Sequence, residues 1–103
     1  MERLRIELSV DAEREIKDAL AWWRSNRSAA PDALRKEIRR ALEVLRTQPQ
    51  AGMRASNVRL SGVRRLNLHR RVRYQIYYRL SEDGSTVVVL RLWHMSRGTS
   101  PGI

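Results

Sequence analysis

Leu4, Ile6 and Leu8 alternate with Arg5 and Glu7, so the chain opens with the two-residue period of a strand that buries one face. At Ser9 the period changes. Ser9 and Asp11 offer side-chain oxygens to a helix N-terminus, and Glu13 and Glu15 suit its positive end. Ala12, Ile16, Leu20 and Trp23 then recur at steps of four, four and three, which predicts a helix to about Ser25. Asn26 to Ala30 reads as a turn. Pro31 suits the first turn of a second helix, where its missing N–H would have no partner. Leu34, Ile38, Leu42 and Leu45 repeat the same steps, and Pro49 and Gly52 end the pattern.

The second half returns to strand periods. From Val63 to His69, Leu66 and Leu68 share one face while Arg65 and Asn67 take the other. From Val72 to Leu80, the set Val72, Tyr74, Ile76, Tyr78 and Leu80 opposes Arg73, Gln75, Tyr77 and Arg79. Glu82-Asp83-Gly84-Ser85 is a hairpin turn in which glycine is free to take a positive φ. Thr86 to His94 is almost continuously apolar, which predicts an interior strand. Ser96 to Ile103 reads as loop. The order is β-α-α-β-β-β. The expectation is a single α+β domain over residues 1–103, with an N-terminal helical hairpin packed on one face of a mostly antiparallel four-stranded sheet. The reverse face then carries Arg65, Arg73 and Arg79 to solvent or to a partner.

Composition changes this picture in one respect. Apolar residues at 42% and charged residues at 31% make an ordinary globular balance, but the net charge is +10. From Val44 to Ser81 there are nine arginines and no acid. Of the 21 basic residues only Lys17 and Lys36 are lysines. Codon bias accounts for much of that preference, but not for the clustering. Such a surface calls for an acidic partner, nucleic acid or polypeptide. Cysteine is absent, and neither His69 nor His94 has a neighbour at metal-ligand spacing, so no disulfide, metal site or cofactor is expected. The opening segment from Met1 to Leu8 has no apolar run, and no stretch is long enough to span a membrane. The expected location is therefore cytoplasmic.

Ala12-Glu13-Arg14-Glu15-Ile16 through Trp22 and Trp23, then Ala41-Leu42-Glu43-Val44-Leu45 with Pro49 and Gly52, form an ordered series. Gly62-Val63-Arg64-Arg65-Leu66, Tyr74-Gln75-Ile76-Tyr77-Tyr78-Arg79 and Leu92-Trp93-His94-Met95-Ser96-Arg97 continue it. In order and spacing the chain resembles the ParE/RelE superfamily of toxins from bacterial type II toxin–antitoxin systems, with the closer likeness to the ParE branch. The resemblance implies a cytoplasmic toxin of the kind found in plasmid stabilisation systems. A cognate antitoxin would neutralise it, in a heterodimer or heterotetramer, by folding a disordered segment onto it. The ParE branch implies inhibition of DNA gyrase by direct binding, without enzymatic activity.

The RelE branch implies instead a ribosome-dependent endoribonuclease. Such cleavage needs a base, an acid and cations around a charged phosphorane-like state. This chain has no tyrosine after Tyr78 and no lysine after Lys36, so the lysine and tyrosine set of that branch is missing. A variant using His94 with Arg65 and Arg97 is the alternative. The structural reading of His94, packed beside Trp93 and bonded to backbone, is the stronger one. His69 reads as a turn residue. Candidate contacts to antitoxin or target are Arg64, Arg65, Arg73, Tyr77, Arg79, Trp22, Trp93 and Arg97. The segment from Trp93 to Ile103 is the expected toxic determinant by family analogy. Trp22 and Trp23 cannot share one helical stripe: Trp23 continues the core, and Trp22 is either a partner contact or packed under the sheet edge. Direct nucleic-acid binding is a secondary expectation, because no recognition helix or aromatic RNA-binding signature is present.

Overall fold

A computed structural model describes residues 3–103; Met1 and Glu2 of the opening segment lie outside the described residues. The chain forms β1 (Arg5–Leu8), α1 (Val10–Asn26), α2 (Ala33–Thr47), β2 (Met53–Arg54), β3 (Arg64–Asn67), β4 (Tyr74–Leu80) and β5 (Thr86–His94), followed by a single 3-10 turn, Met95–Arg97. The Ser9 hydroxyl accepts from the Ala12 N–H at 3.0 Å and donates to the Leu90 carbonyl at 2.7 Å. It therefore caps α1 and ties that helix start to the sheet. Asp32 precedes α2 without a side-chain cap bond, and Pro31 lies in the turn before it rather than in its first turn. α1 buries Ala12, Ala19 and Trp23, and α2 buries Leu34, Ile38, Ala41 and Leu45. Both stripes face the sheet, as the four-four-three spacing requires.

The architecture is α+β, a helical hairpin over a mixed sheet of five strands in the order β1-β5-β4-β3-β2. β1 runs parallel to β5, and the other pairs are antiparallel. The expected count of four strands omits β2, which pairs Met53 with Arg65 and Arg54 with Arg64. Two residues carry no period, so only tertiary pairing defines that strand. β5 is interior, as its apolar run predicts. β4 starts at Tyr74 rather than Val72 because Arg73 takes φ 61°, a left-handed backbone uncommon outside glycine. The β4–β5 turn is pinned by Asp83. Its carboxylate accepts from the hydroxyls of Ser81 and Ser85 and from the Ser85 N–H, which holds its pKa down at about 2.

Ile76, Tyr78, Val87, Val89 and Leu92 meet the helices in the main core. Burying an aliphatic side chain of this size contributes roughly 1.5–3 kcal/mol. The Tyr78 hydroxyl donates to the Pro49 carbonyl at 2.7 Å and accepts from the Gly52 N–H at 2.9 Å. A Cβ on Gly52 would lie 2.7 Å from that hydroxyl and 2.9 Å from the Arg65 carbonyl, so the backbone leaving α2 approaches the sheet too closely for a side chain.

The reverse face is not an open field of arginines. Val63, Tyr77 and Trp93 form a second buried cluster there, with Ala55, Val58, Leu90 and Ile103 packed against it. The tail, expected as loop, crosses this cluster. Trp93 Nε1 donates to the Thr99 carbonyl at 2.6 Å, and the Ile103 carbonyl accepts from the N–H groups of Arg59 at 2.6 Å and Leu60 at 3.2 Å. A bulge between Tyr77 and Tyr78 shifts the β4–β5 register, leaving Leu90 unpaired between Val89 and Arg91. No helix among the described residues is long and apolar enough to cross a membrane.

Candidate partner-binding surfaces

β1 ends at Leu8 while β5 continues to His94, so the outer edge of β5 beyond Val89 lacks a strand neighbour. Glu15, one turn into α1, fills that role. Its carboxylate accepts from Arg91 Nε at 3.0 Å and Nη2 at 2.7 Å, and from the Leu92 N–H at 3.1 Å. The two side chains are only 14% and 18% exposed. This bidentate bond raises the Arg91 pKa, with burial opposing it. The pair spans 76 positions in sequence, and no local pattern announces it.

Around the reverse cluster the arginines divide by what they touch. Arg64 Nη1 donates to the Gly52 carbonyl at 2.8 Å, and Arg79 Nη1 donates to the Ser61 carbonyl at 3.4 Å. Both are partly buried and support loops. Arg65 lies opposite Tyr77 on the reverse face. Its Nε is buried without a partner among the described residues. It helps line a cleft of about 300 Å³ with Gln75, Trp93, Thr99 and Ser100. Tyr77 and Trp93 are 2% and 9% exposed, so they support this face from beneath rather than present rings to solvent. Arg97 is exposed and stacks over Trp93 at 4.1 Å, while Arg91 lies 5.2 Å from the same ring.

A second cleft, of about 250 Å³, opens at the end of the sheet beside the last turn of α1. Trp22, Trp23, Arg27, Arg71, Val72, Arg73, Tyr74 and His94 line it. Trp22 is 49% exposed. Trp23 is buried and donates its Nε1 to the Ala30 carbonyl at 2.8 Å. Arg27 lies 5.1 Å and 5.6 Å from the two indole rings. The left-handed backbone of Arg73 takes that residue out of the strand alternation and places it here rather than beside Arg65.

His94 meets Tyr74 edge to face at 4.8 Å, not Trp93 as the sequence suggests, and bonds backbone as expected: Nδ1 accepts from the Ser96 N–H at 3.1 Å. The neutral ring therefore carries its proton on Nε2. Burial lowers the His94 pKa, and the charges of Arg73 and Arg97 lower it further. Burial raises the Tyr74 pKa, against a smaller opposing effect of Arg97. His94 pairs with Tyr74 and Arg65 pairs with Tyr77, an odd spacing along β4. The imidazole thus lies on the helix side and Arg65 on the reverse. Of Arg65 and Arg97, only Arg97 acts on His94.

His69 sits in the β3–β4 turn, as its sequence position suggests. Its N–H donates to Glu37 Oε1 at 2.8 Å, and its Nδ1 accepts from the Arg71 N–H at 3.1 Å. The Arg40 bond, and secondarily the His69 N–H, hold the Glu37 pKa down against burial. No group of histidine and acidic side chains able to hold a metal ion occurs among the described residues.

Residues 6–98 match the family described as ParE toxin of type II toxin-antitoxin system, parDE. No curated protein matches the chain in sequence. In fold the chain is similar to a solved chain of the chromosomal ParDE TA system from P. aeruginosa, with a TM-score of 0.71, 17% identity, and coverage of 89% of this chain and 96% of that one. It is also similar to a chain of the toxin–antitoxin complex RelBE2 from Mycobacterium tuberculosis, with a TM-score of 0.60, 20% identity, and coverage of 89% and 98%. At these identities the likeness carries the fold alone.

Proposed function

The chain belongs to the ParE toxin family of type II toxin–antitoxin systems, and from that membership we propose that it binds DNA gyrase directly in the cytoplasm and inhibits it until a cognate antitoxin covers its basic surface. The family match over residues 6–98 carries this reading. The charge distribution supports it. Arg65, Arg73 and Arg97 have no carboxylate partner among the described residues, and the first has a desolvated, unpaired Nε. A buried donor without an acceptor costs stability, which fits a side chain held for binding. Arg65, Arg97 and the covered Trp93 serve the reverse face. Arg73 and Trp22 serve the end cleft, and Arg64 and Arg79 serve the rim. An acidic amphipathic segment of the antitoxin would neutralise these guanidiniums as it folds.

The endoribonuclease reading asks His94 and Arg65 to act on one phosphate. Their placement on opposite sides of the sheet favours the gyrase reading. Purified gyrase and supercoiling assays separate the two. Lost supercoiling with accumulating cleaved DNA is the expected result. Unimpaired gyrase, together with messenger RNA cut at the ribosomal A site, would replace this proposal with the nuclease.

A further inference from the structure

The end cleft, whose Arg73 and Trp22 the proposed antitoxin contact uses, has a lining chemistry that also suits a small ligand. Its charged groups are Arg27, Arg71 and Arg73, and no acid lines it. Among the described residues no carboxylate pairs with any of the three. The other polar groups present donors as well. His94 uses Nδ1 as an acceptor toward the Ser96 N–H, so its remaining ring nitrogen carries hydrogen. Tyr74 keeps its phenolic proton at neutral pH, and burial raises its pKa further. A cleft walled by donors selects an occupant made of acceptors. Three guanidinium forks suit the oxygens of a phosphate ester better than a single carboxylate.

The rest of the wall is aromatic. Trp22 is half exposed beside the buried Trp23, and the Tyr74 and His94 rings, edge to face, also line the cleft. Flat faces next to guanidiniums that hold no carboxylate are the combination that holds a base and its phosphate together. The volume, about 250 Å³, falls just below the range of ligand clefts, about 300 to 1,000 Å³. It suits one nucleotide rather than a strand. Arg73 supports the same conclusion from the backbone: a non-glycine residue is held at φ 61° where the cleft needs its side chain.

We propose that the cleft between the end of α1 and the β3–β4 turn binds a phosphate monoester carried on a nucleobase, with Arg71 and Arg73 on the phosphate and Trp22 against the base. The nucleotide is either free or the phosphorylated end of a single strand.

The test titrates the full chain, without gyrase or antitoxin, and follows its tryptophan fluorescence. Adenosine monophosphate is expected to give a saturable change. Adenosine and inorganic phosphate each bind at least tenfold more weakly. Arg71→Ala combined with Arg73→Asn, in which asparagine tolerates the positive φ, weakens binding at least tenfold, and so does Trp22→Leu. Arg54→Ala combined with Arg59→Ala removes equal charge elsewhere and leaves it unchanged. A 5′-phosphorylated trinucleotide that binds as well as the monophosphate, while its 5′-hydroxyl form does not, identifies the strand end as the source; binding by the monophosphate alone identifies the free nucleotide. Absence of saturable binding overturns the proposal. So do equal affinity for inorganic phosphate and monophosphate, or unchanged binding by the folded arginine double variant, with folding checked by circular dichroism. Because gyrase is absent, none of these outcomes depends on the gyrase reading.

Discussion

The two faces of the sheet are built differently. On the helix side fourteen buried residues form one cluster with no charge among them. On the reverse the buried hydrophobic cluster is Val63, Tyr77 and Trp93, covered by a loop and the tail, with guanidiniums at the rim. Both faces present apolar side chains from the same strands. The difference lies in the cover: two helices exclude water over a wide area, whereas a loop and the tail, held by a few backbone bonds, do so over a small cluster. The helix side therefore carries the stability, and the reverse face and its open end are free to carry recognition.

The largest test of that contrast is Ile76→Ala, which empties a site with 0% exposure at the centre of the helix side. It is expected to cost about 2–5 kcal/mol in urea unfolding. A loss under 1 kcal/mol would mean that the two faces are not so unequal. A cleaner contrast uses the same change on each side. Val87→Ala faces the helices and is expected to cost about 2–3 kcal/mol; Val63→Ala lies under the loop, which can settle into the space, and is expected to cost about 1 kcal/mol. Equal costs would show the loop to be as rigid a cover as the helices.

The seam between the faces gives the next test. Glu15→Ala strands Arg91 and the Leu92 N–H together. Its expected cost is about 1–3 kcal/mol, with Glu15→Gln retaining part of the bond to the backbone. Identical losses for the two variants would assign the stabilisation to charge alone. The smallest effect is in pH. Folding lowers the His94 pKa from its ordinary 6.5. Above that value the ring is neutral in both states and contributes no penalty. Below it the unfolded chain takes up the proton first, so stability falls until the folded ring also titrates. His94→Asn is expected to lose less melting temperature than the parent between pH 7 and about pH 5. Glu37, whose pKa is also depressed, adds its loss at lower pH, below the carboxylate's ordinary 4.5. Parallel melting curves for parent and variant over the histidine window would contradict the ring's placement.

Much of the helix side is legible in the sequence because it is periodic. The four-four-three spacing of Leu34, Ile38, Leu42 and Leu45 identifies α2, and the apolar run from Thr86 identifies an interior β5. The reverse face is less legible. Parity assigns Tyr77 to the arginine side correctly, but nothing local says that Val63 and the tail will bury it. Arg73 looks like a strand residue by parity, yet a left-handed φ moves it to the end cleft beside His94. β2 has too few residues to show a period, and the Glu15–Arg91 pair joins distant segments. Apart from the backbone of Arg73, the missing information is in each case a long-range contact, which a local pattern does not encode.

The division of labour between the faces is tested most directly by measuring gyrase inhibition and melting temperature together for Arg65→Glu combined with Arg97→Glu. The expected result is a melting temperature within a few degrees of the parent, since neither guanidinium holds a carboxylate, and supercoiling restored to the level without toxin. A folded variant that still blocks gyrase as well as the parent, or one that unfolds outright, would contradict it.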